Sequence, residues 1–518
     1  MSKIEVYRTH IEIHNYDLGD SRTLENRYGI YDRIYHRVFP KGRYYDEETR
    51  TLYLPRGANI SNLEKIFQSE AVVKSDCDPI GNIEGLKLRY KPRDDVQQEA
   101  LQFMLSLGKY SNNARFSMLS LNLATGKGKT YCTITALSFL QKRSIIITNS
   151  NEWLAQWKAF FLEYTDITSD EIYYISGTPT LMKLFNRDIS KYKVVLCTHA
   201  TLASYAKRNG WKAVHEFFKY MNFGVKVYDE AHLNFDNMFM IDCFSNTWLT
   251  YYVTATPNRS NEEEDMIYRN YFENVPSISL FDEDTDPHTS YVGIRYNSAP
   301  NPMQISECKN AYGMDRNKYT NYLVRQENFY RILRILLDMA LKKPGKHLYY
   351  IGTNDAILVV RDWIYENYPE LIGQVGIFSS LTSENKREEL NKTIILTTTK
   401  SAGAAVDISG LVETVVLAEP FKSKVLAQQT FGRTRAANTS YKDIVDTGFF
   451  FTKRFYDQKK PIFMKYATDC KEITLRNSEL VSRSDAIIDR RNSSIQPMRF
   501  SESYEERIFI DPMEFFET

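Results

Sequence analysis

A glycine-rich turn in the first third of the chain carries the residue types of a phosphate site. Residues 121–140 read LNLATGKGKTYCTITALSFL, an apolar strand followed by a turn and a helical sequence. Backbone N–H groups of such a turn surround phosphate oxygens, a lysine reaches the β and γ phosphates, and a hydroxyl ligates magnesium. Leu123 stands where the usual motif begins with glycine, so the match is to a shorter form. We predict a nucleotide site at Ala124, Thr125, Gly126, Lys127, Gly128, Lys129 and Thr130.

A pair of carboxylates follows at the end of another apolar strand. Residues 225–232 read VKVYDEAH. We predict that Asp229 holds magnesium together with Thr130, that Glu230 orients and polarises an attacking water, and that His232 senses the γ phosphate. The alternatives are an acidic strand end that caps a helix and a basic surface turn at the glycines. The two motifs together favour an ATPase over either alternative.

These side chains require parallel strands to position them. Apolar strands alternate with helical stretches from about residue 89 onward, which is typical of parallel α/β layers. A second rhythm of the same kind begins with the helical stretch 328–343. The predicted strands of the two series are SIIITNS (144–150), KVVLCTH (193–199), VKVYDE (225–230), KHLYYIG (346–352), QVGIFSS (374–380), TIILTTT (393–399) and ETVVLAEP (413–420).

Changes of composition along the chain divide it into five segments. Short alternating stretches punctuated by Gly and Pro indicate a separate small module at the start, and acidic runs at 262–265 and 282–290 indicate an exposed seam. The predicted fold class is α/β, with two tandem parallel-sheet lobes and a small α+β accessory domain. The segments are an accessory, nucleic-acid-binding candidate (1–88), a first lobe (89–290), a connector (291–320), a second lobe (321–477) and a loosely ordered tail (478–518).

The composition is that of a large soluble protein without a dominant charge. The chain has 518 residues, 43% hydrophobic and 25% charged, with a net charge of +1. Any nucleic-acid site must therefore be a local patch rather than a global basic field. The six cysteines are scattered without metal-ligand spacing, and no apolar run of roughly 18 residues occurs. We expect a cytoplasmic protein with no membrane partner, in the host cytoplasm if a phage encodes it.

The ordered set of motifs from about 89 to 455 resembles the superfamily 2 helicases and translocases of the DEAH-box kind. The resemblance implies two RecA-like lobes that use ATP and Mg²⁺. Gln97 is then the adenine reader, with Gln98 as the alternative. The stretches of the first lobe that carry the resemblance, besides the two motifs above, are PRDDVQQEAL (92–101), IIITNSNEWLAQWKAFF (145–161), LCTHATL (196–202) and VTATPNR (253–259).

Two stretches carry the resemblance in the second lobe. TTTKSAGAAVDIS (397–409) is similar to motif V, which implies nucleotide contacts from Gly403 and Asp407. VVLAEPFKSKVLAQQTFGRTRA (415–436) is similar to motif VI, in which Gln429 lies near the nucleotide. Arg433 is the implied arginine finger, with Arg435 as the alternative. Within the superfamily the combination is most similar to phage UvsW-type helicases.

Nucleic-acid contacts are expected from hydroxyls at strand ends, because such groups bind phosphates without reading sequence. The candidates are Thr198, Thr254, Thr256, Thr397, Thr398 and Thr399. Residues 22–45 interleave basic and aromatic side chains, which suits either nucleic-acid binding or a solvated face over an aromatic core. The residues concerned are Arg27, Arg33, Arg37, Lys41, Arg43, Tyr28, Tyr31, Tyr35, Phe39 and Tyr44.

The sequence as a whole predicts an ATP-dependent nucleic-acid helicase or translocase. DNA is the expected partner, including branched or R-loop intermediates of phage replication, recombination or repair, with RNA or RNA–DNA hybrids as alternatives. Replication or recombination proteins are the expected protein partners. The rival functions are a translocase that moves on duplex DNA without separating its strands, and a nucleic-acid-binding assembly factor that responds to ATP.

Overall fold

The structure is a computed structural model in which the chain divides into two compact units, residues 1–283 and 284–518. It describes residues 2–16, 21–32, 36–123, 127–255, 262–280, 289–311, 313–382, 386–402, 412–431 and 439–494. In those ranges no helix has the length and apolar character needed to cross a bilayer.

The first unit opens with a five-stranded mixed sheet and a small hairpin. The sheet order is β5-β6-β2-β1-β7, with β7 parallel to β1 and the other pairs antiparallel, while β3 and β4 form the hairpin. The elements are β1 (Lys3–Val6), β2 (His10–His14), α1 (Ser21–Tyr28), β3 (Gly29–Asp32), β4 (Arg37–Pro40), β5 (Tyr44–Asp46), β6 (Thr51–Pro55), α2 (Ile60–Phe67) and β7 (Ala71–Val73).

The rest of the first unit is a seven-stranded, fully parallel sheet of order β10-β11-β9-β12-β13-β8-β14. Its central strands are buried along their whole length, which is why they appear in the sequence as continuous apolar runs. The elements are α3 (Asp95–Met104), β8 (Met118–Leu123), α4 (Lys129–Leu140), β9 (Ser144–Thr148), α5 (Asn151–Tyr164), β10 (Ile172–Tyr174), α6 (Thr178–Met182), β11 (Val194–Thr198), α7 (His199–Asn209), α8 (Trp211–Met221), β12 (Val225–Asp229), α9 (Phe235–Cys243), β13 (Leu249–Thr254), α10 (Glu262–Phe272) and β14 (Ser277–Leu280).

The second unit contains another seven-stranded parallel sheet, of order β19-β20-β18-β21-β22-β15-β23. A short hairpin, β16 with β17, stands outside it. The elements are β15 (Thr289–Tyr296), α11 (Pro302–Glu307), β16 (Lys309–Asn310), β17 (Gly313–Met314), α12 (Arg316–Leu323), α13 (Glu327–Ala340), β18 (Lys346–Tyr350), α14 (Asn354–Asn367), β19 (Val375–Phe378), α15 (Lys386–Glu389), β20 (Ile394–Thr397), α16 (Thr399–Ala402), β21 (Val412–Leu417), α17 (Lys424–Phe431), β22 (Thr439–Asp446), α18 (Phe450–Tyr466), β23 (Asp469–Thr474) and α19 (Asn477–Ser494).

Two segments differ from the sequence-based segmentation. Residues 289–296, assigned largely to the connector, form β15, which lies inside the second sheet between β22 and β23. The first part of the tail forms α19, whose Leu480 and Ile487 are buried in the same core as α13. Both segments bury apolar side chains against distant parts of the chain. Their regular structure therefore depends on packing within the second unit rather than on local sequence.

The N-terminal sheet does not form a separate module, because it shares one hydrophobic core with the first parallel sheet. Tyr28 stacks on Tyr271 with ring centroids 4.3 Å apart. Tyr44 and Tyr53 both pack on Phe244, at 5.0 and 5.2 Å. Some of the aromatic residues that were predicted to form a nucleic-acid surface, Tyr28 and Tyr44, thus pack the sheet against the rest of the unit.

Basic residues of the same segment serve this attachment as well. Arg27 pairs with Glu273, and Lys41 Nζ lies 2.8 Å from a carboxylate oxygen of Asp236. Arg33 and Tyr35 lie outside the described residues. The interleaved basic and aromatic pattern of residues 22–45 therefore includes an internal interface, a third interpretation that the sequence pattern alone did not suggest.

Candidate nucleotide site in the first unit

The predicted phosphate loop lies between the end of β8 and the start of α4. Leu123 is the last residue of β8, and Lys129 and Thr130 form the first turn of α4. Gly128 has φ of 90°, a left-handed conformation that favours glycine. A Cβ there would lie 2.4 Å from Nε2 of Gln97. The backbone conformation therefore favours glycine at this position, and an added Cβ would also require the end of the Gln97 side chain to shift.

Lys129 and Glu230 meet across the sheet. Lys129 Nζ lies 2.6 Å from Oε1 of Glu230, and their side chains are only 13% and 4% exposed. Glu230 directly follows β12 and has φ of 50°, an unusual conformation for a non-glycine residue. Such strained positions are concentrated at functional sites. The structure therefore joins the two sequence motifs, 101 residues apart, in one buried ion pair.

Asp229 is held by a tryptophan that the sequence interpretation did not assign to the site. Trp157 Nε1 donates a hydrogen bond to Oδ2 of Asp229 at 2.8 Å. Trp157 lies on α5, which follows β9, the neighbour of β12 in the sheet. Its only signal in the sequence was its place in the stretch 145–161.

Burial and charge set the ionisation of the two carboxyl groups. Burial raises the pKa of Asp229 to about 6, the Glu230 charge adds to the rise, and Lys129 and the Trp157 hydrogen bond oppose it. Burial also acts to raise the pKa of Glu230, but Lys129 and His232 outweigh it and lower that pKa to about 2. Of the two carboxyl groups, Glu230 is therefore the one that is fully ionised, because Lys129 is its direct partner.

His232 and Thr254 complete a small network around Glu230. His232 Nδ1 lies 2.7 Å from the Thr254 hydroxyl, which donates to Oε2 of Glu230 at 3.3 Å. Thr254 ends β13, whose Val253 pairs in register with Asp229 of β12. Because parallel strands end at one edge, Glu230 after β12 and Thr254 at the end of β13 meet there. Thr254 is fully buried, so its hydroxyl acts inside the protein.

Gln97 lies against the phosphate loop, whereas Gln98 is exposed. Gln97 Nε2 donates to the backbone oxygen of Lys127 at 3.1 Å, and Oε1 accepts from the Arg93 N–H at 3.0 Å. Asp94 caps the helix by accepting from the Gln97 N–H. The contact with the loop distinguishes Gln97 from Gln98, and its role toward adenine stays a prediction.

The oxygen donors at this site suit magnesium. Mg²⁺ prefers oxygen ligands and is bound through one or two carboxylates plus substrate phosphates. Asp229 offers a carboxylate at the end of β12, and Thr130 offers a half-buried hydroxyl in the first turn of α4. The residues present therefore fit the ion.

Thr198, another predicted nucleic-acid contact of the first unit, is bonded within the protein. Thr198 caps α7 by accepting from the Thr201 N–H at 3.1 Å, and it is 5% exposed. A capping hydroxyl is already committed to the helix. A phosphate contact at this position would have to use backbone groups or displace the cap, and it stays a prediction.

The predicted threonines of the second unit lie together at the end of β20. The Thr397 hydroxyl is fully buried and donates to the Phe378 oxygen at 2.6 Å. Thr398 caps the following turn by accepting from the Ser401 N–H at 3.2 Å. The Thr399 N–H donates to Oε2 of Glu419 at 2.9 Å. Glu419 is thus a buried acidic residue of this edge that the sequence interpretation had not singled out.

Several predicted residues cannot be placed. The side chain of Gln429, on α17, is not described. The others lie outside the described residues: Ala124, Thr125, Gly126, Thr256, Gly403, Asp407, Arg433 and Arg435.

The fold and the converging motifs define a class of protein, and comparisons with known proteins agree with it. Residues 89–259 match the family model described as "Type III restriction enzyme, res subunit". A solved structure, "S. cerevisiae Dbp5 bound to RNA and ADP BeF3", aligns with 76% of this chain and 93% of that chain at 13% identity and a TM-score of 0.50. The fold is that of tandem RecA-like lobes with an additional N-terminal sheet, and the resemblance to superfamily 2 helicases is confirmed.

Particular relatives extend the comparison. "Transcript termination protein A18" of Yaba-like disease virus is 24% identical over 383 residues, 68% of this chain and 74% of that protein. "General transcription and DNA repair factor IIH helicase/translocase subunit XPB" of Enterocytozoon bieneusi is 27% identical over 133 residues, 25% of this chain and 22% of that protein. "The crystal structure of T4 UvsW" aligns with 91% of this chain and 99% of that chain at 15% identity, but its TM-score of 0.35 supports no finer statement.

Proposed function

We propose that this chain is an ATP-dependent helicase or translocase that acts on nucleic acid. The observation that carries the proposal is the buried contact of Lys129 with Glu230 beside Asp229. Lysine, metal carboxylate and water-polarising carboxylate are the groups that phosphoryl transfer to water requires, and here they meet at one edge of a parallel sheet.

The Lys129 ammonium can bind either of two anionic partners, Glu230 or the nucleotide phosphates. When the ammonium binds the β and γ phosphates, Glu230 loses the partner that lowers its pKa and becomes a stronger base. It can then accept a proton from the attacking water. Thr130 and Asp229 would hold Mg²⁺, which neutralises phosphate charge when bound.

Hydrolysis stimulated by nucleic acid tests the proposal. ATP turnover of the full chain would be measured with single-stranded DNA, duplex, forked DNA, four-way junction and RNA. We expect Lys129→Ala and Glu230→Gln to lose turnover, and Lys219→Ala and Glu216→Gln, exposed positions on α8, to keep it. Wild-type turnover in Lys129→Ala would refute the assignment.

DNA is the proposed substrate, with branched or R-loop intermediates as the preferred forms. The support is the sequence resemblance to UvsW-type helicases, which also suggests a phage setting, replication or recombination partners and the host cytoplasm. The same panel tests it, because a preference for RNA over every DNA form would contradict the DNA assignment.

Translocation on duplex without strand separation is the second candidate. Its support is the similarity to XPB, which is named a helicase/translocase subunit. Displacement of a triplex strand without unwinding of a forked duplex would select it over helicase activity. Nucleic-acid binding that depends on ATP but proceeds without turnover would instead select the assembly-factor alternative.

A further inference from the structure

The face of the N-terminal sheet opposite Ile4, Ile11 and Ile13 carries a cluster of histidine and glutamate side chains, of which Glu5 is buried. Glu5 of β1 pairs in register with Glu12 of β2, and Lys3 pairs with His14. Strand alternation directs Glu5, Glu12 and His14 away from the core face that Ile4, Ile11 and Ile13 fill. One ligand atom from each of the three lies within 4.8 Å of the others.

Two of the three distances within the cluster match the spacing of ligands around a small ion. His14 Nε2 lies 3.2 Å from Oε2 of Glu5 and 3.3 Å from Oε2 of Glu12. Ligand atoms placed tetrahedrally at about 2.0–2.1 Å from a zinc ion are about 3.3 Å apart.

The surrounding hydrogen bonds orient the ligands. His14 Nδ1 lies 3.2 Å from the Thr51 hydroxyl, which donates to the Thr49 oxygen at 3.3 Å. Thr51 therefore accepts from Nδ1–H, and Nε2 faces the oxygens of Glu5 and Glu12.

The carboxylates are held in the same way. His10 Nε2 contacts the other oxygen of Glu12 at 3.3 Å. Lys3 and Lys74 contact Oε1 of Glu5, at 2.5 and 3.3 Å, while Tyr7 donates to Oε2 at 2.9 Å. Such outer partners are typical of metal ligands, although the two lysines also compensate part of the negative charge.

We propose that Glu5, Glu12 and His14 bind a transition-metal dication of the zinc type, with water as the fourth ligand. The donor set, one imidazole nitrogen and two carboxylate oxygens, suits Zn²⁺ or Co²⁺. The ion would link β1 to β2 on a face remote in sequence from the nucleotide motifs. The proposal does not depend on the helicase function.

Metal titration of the chelator-treated full chain tests it. Without nucleotide or Mg²⁺, we expect one Zn²⁺ per chain by calorimetry and a tetrahedral visible spectrum with Co²⁺. His14→Ala and Glu12→Gln should weaken Zn²⁺ binding at least tenfold, with unchanged circular dichroism. The controls His215→Ala, on α8, and Asp229→Asn, at the nucleotide site, should bind normally.

Two results would overturn the proposal. One is a wild-type chain that takes up no more Zn²⁺ than His14→Ala, in which case the cluster is an imidazolium paired with two carboxylates. The other is Zn²⁺ uptake that Asp229→Asn abolishes and His14→Ala does not.

Discussion

The indole N–H of Trp157 donates to Oδ2 of Asp229 across 2.8 Å, and both side chains are buried. The bond fixes the orientation of the carboxylate proposed to hold magnesium. We expect Trp157→Phe to lower ATP turnover about tenfold and to raise the Mg²⁺ concentration needed for half-maximal turnover, because loss of such supporting bonds weakens metal sites. Mg²⁺ titrations of ATPase rate check this. Trp153→Phe, on the same helix, is the control, and equal profiles for the two variants would contradict the assignment.

The Lys129–Glu230 ion pair should also contribute to stability. Lys129→Ala leaves Glu230 buried without its partner, which costs about 3–5 kcal/mol for such pairs. In a Glu230→Gln background the same change should cost less, because position 230 then carries no charge and only the attraction of Lys129 for Asp229 is lost. Urea unfolding followed by tryptophan fluorescence measures this, since four of the five tryptophans lie in the first unit. Equal costs in both backgrounds would show that the pair is not coupled.

Asp229 should reduce stability at neutral pH. Its pKa is raised from 3.8 to about 6, so the native state binds a proton more tightly than the unfolded chain, and stability falls as pH rises between these values. Asp229→Asn should therefore stabilise the first unit by on the order of 3 kcal/mol above pH 7, with the gain vanishing near pH 4. Urea unfolding at both pH values tests this. Asp76→Asn, at an exposed position, is the control.

Gly128 should be intolerant of alanine beyond the cost of its backbone conformation. Gly128→Ala brings Cβ within 2.4 Å of Gln97 Nε2, whereas Gly210, with a similar φ of 83°, has no atom within 4 Å of the added Cβ. Gly210→Ala thus reports backbone strain without a new side-chain contact, at ψ of 158° where Gly128 has 36°. We expect Gly128→Ala to lose about 1 kcal/mol of stability and Gly210→Ala up to about 3 kcal/mol, and only Gly128→Ala to lose affinity for a fluorescent ATP analogue. Equal affinities would show that Gln97 moves aside freely.

Arg433 remains the predicted finger, with Arg435 as the alternative. An arginine that neutralises the transferring phosphoryl group is worth on the order of 10³–10⁵ in rate. We expect Arg433→Ala to lose turnover by about that factor while still binding ATP. If Arg433→Ala keeps its rate and Arg435→Ala does not, the finger is Arg435.

The parallel sheets could be predicted because their strands are buried on both faces. The stretches 144–150, 193–199 and 225–230 correspond to β9, β11 and β12. By contrast, β15 carries glycine and arginine among its apolar residues and follows an acidic run. Its place in the sheet comes from eight residues in register with β22, which only the folded chain brings together.

Lys226 shows, inside a predicted strand, that a partner distant in the chain could not be predicted from local sequence. It interrupts the apolar run of β12 but is fully buried, with Nζ 2.5 Å from Oδ1 of Asp242 on α9. Tyr228 and Tyr252 also donate to this carboxylate. The strand was predictable from its neighbours, whereas the partner that makes a buried lysine tolerable was not.

The sequence by itself determined the local groups: a glycine turn ending in Lys129, a strand ending in Asp229, and the order of the motifs between them. These are short-range patterns, in which each strand, turn and cap is defined by residues close in the chain. Only the tertiary structure decided that Lys129 lies on Glu230, that Trp157 holds Asp229, and that the N-terminal sheet packs on the first unit. Those relationships join residues far apart in the chain, and packing and charge pairing establish them only once the sheets have formed.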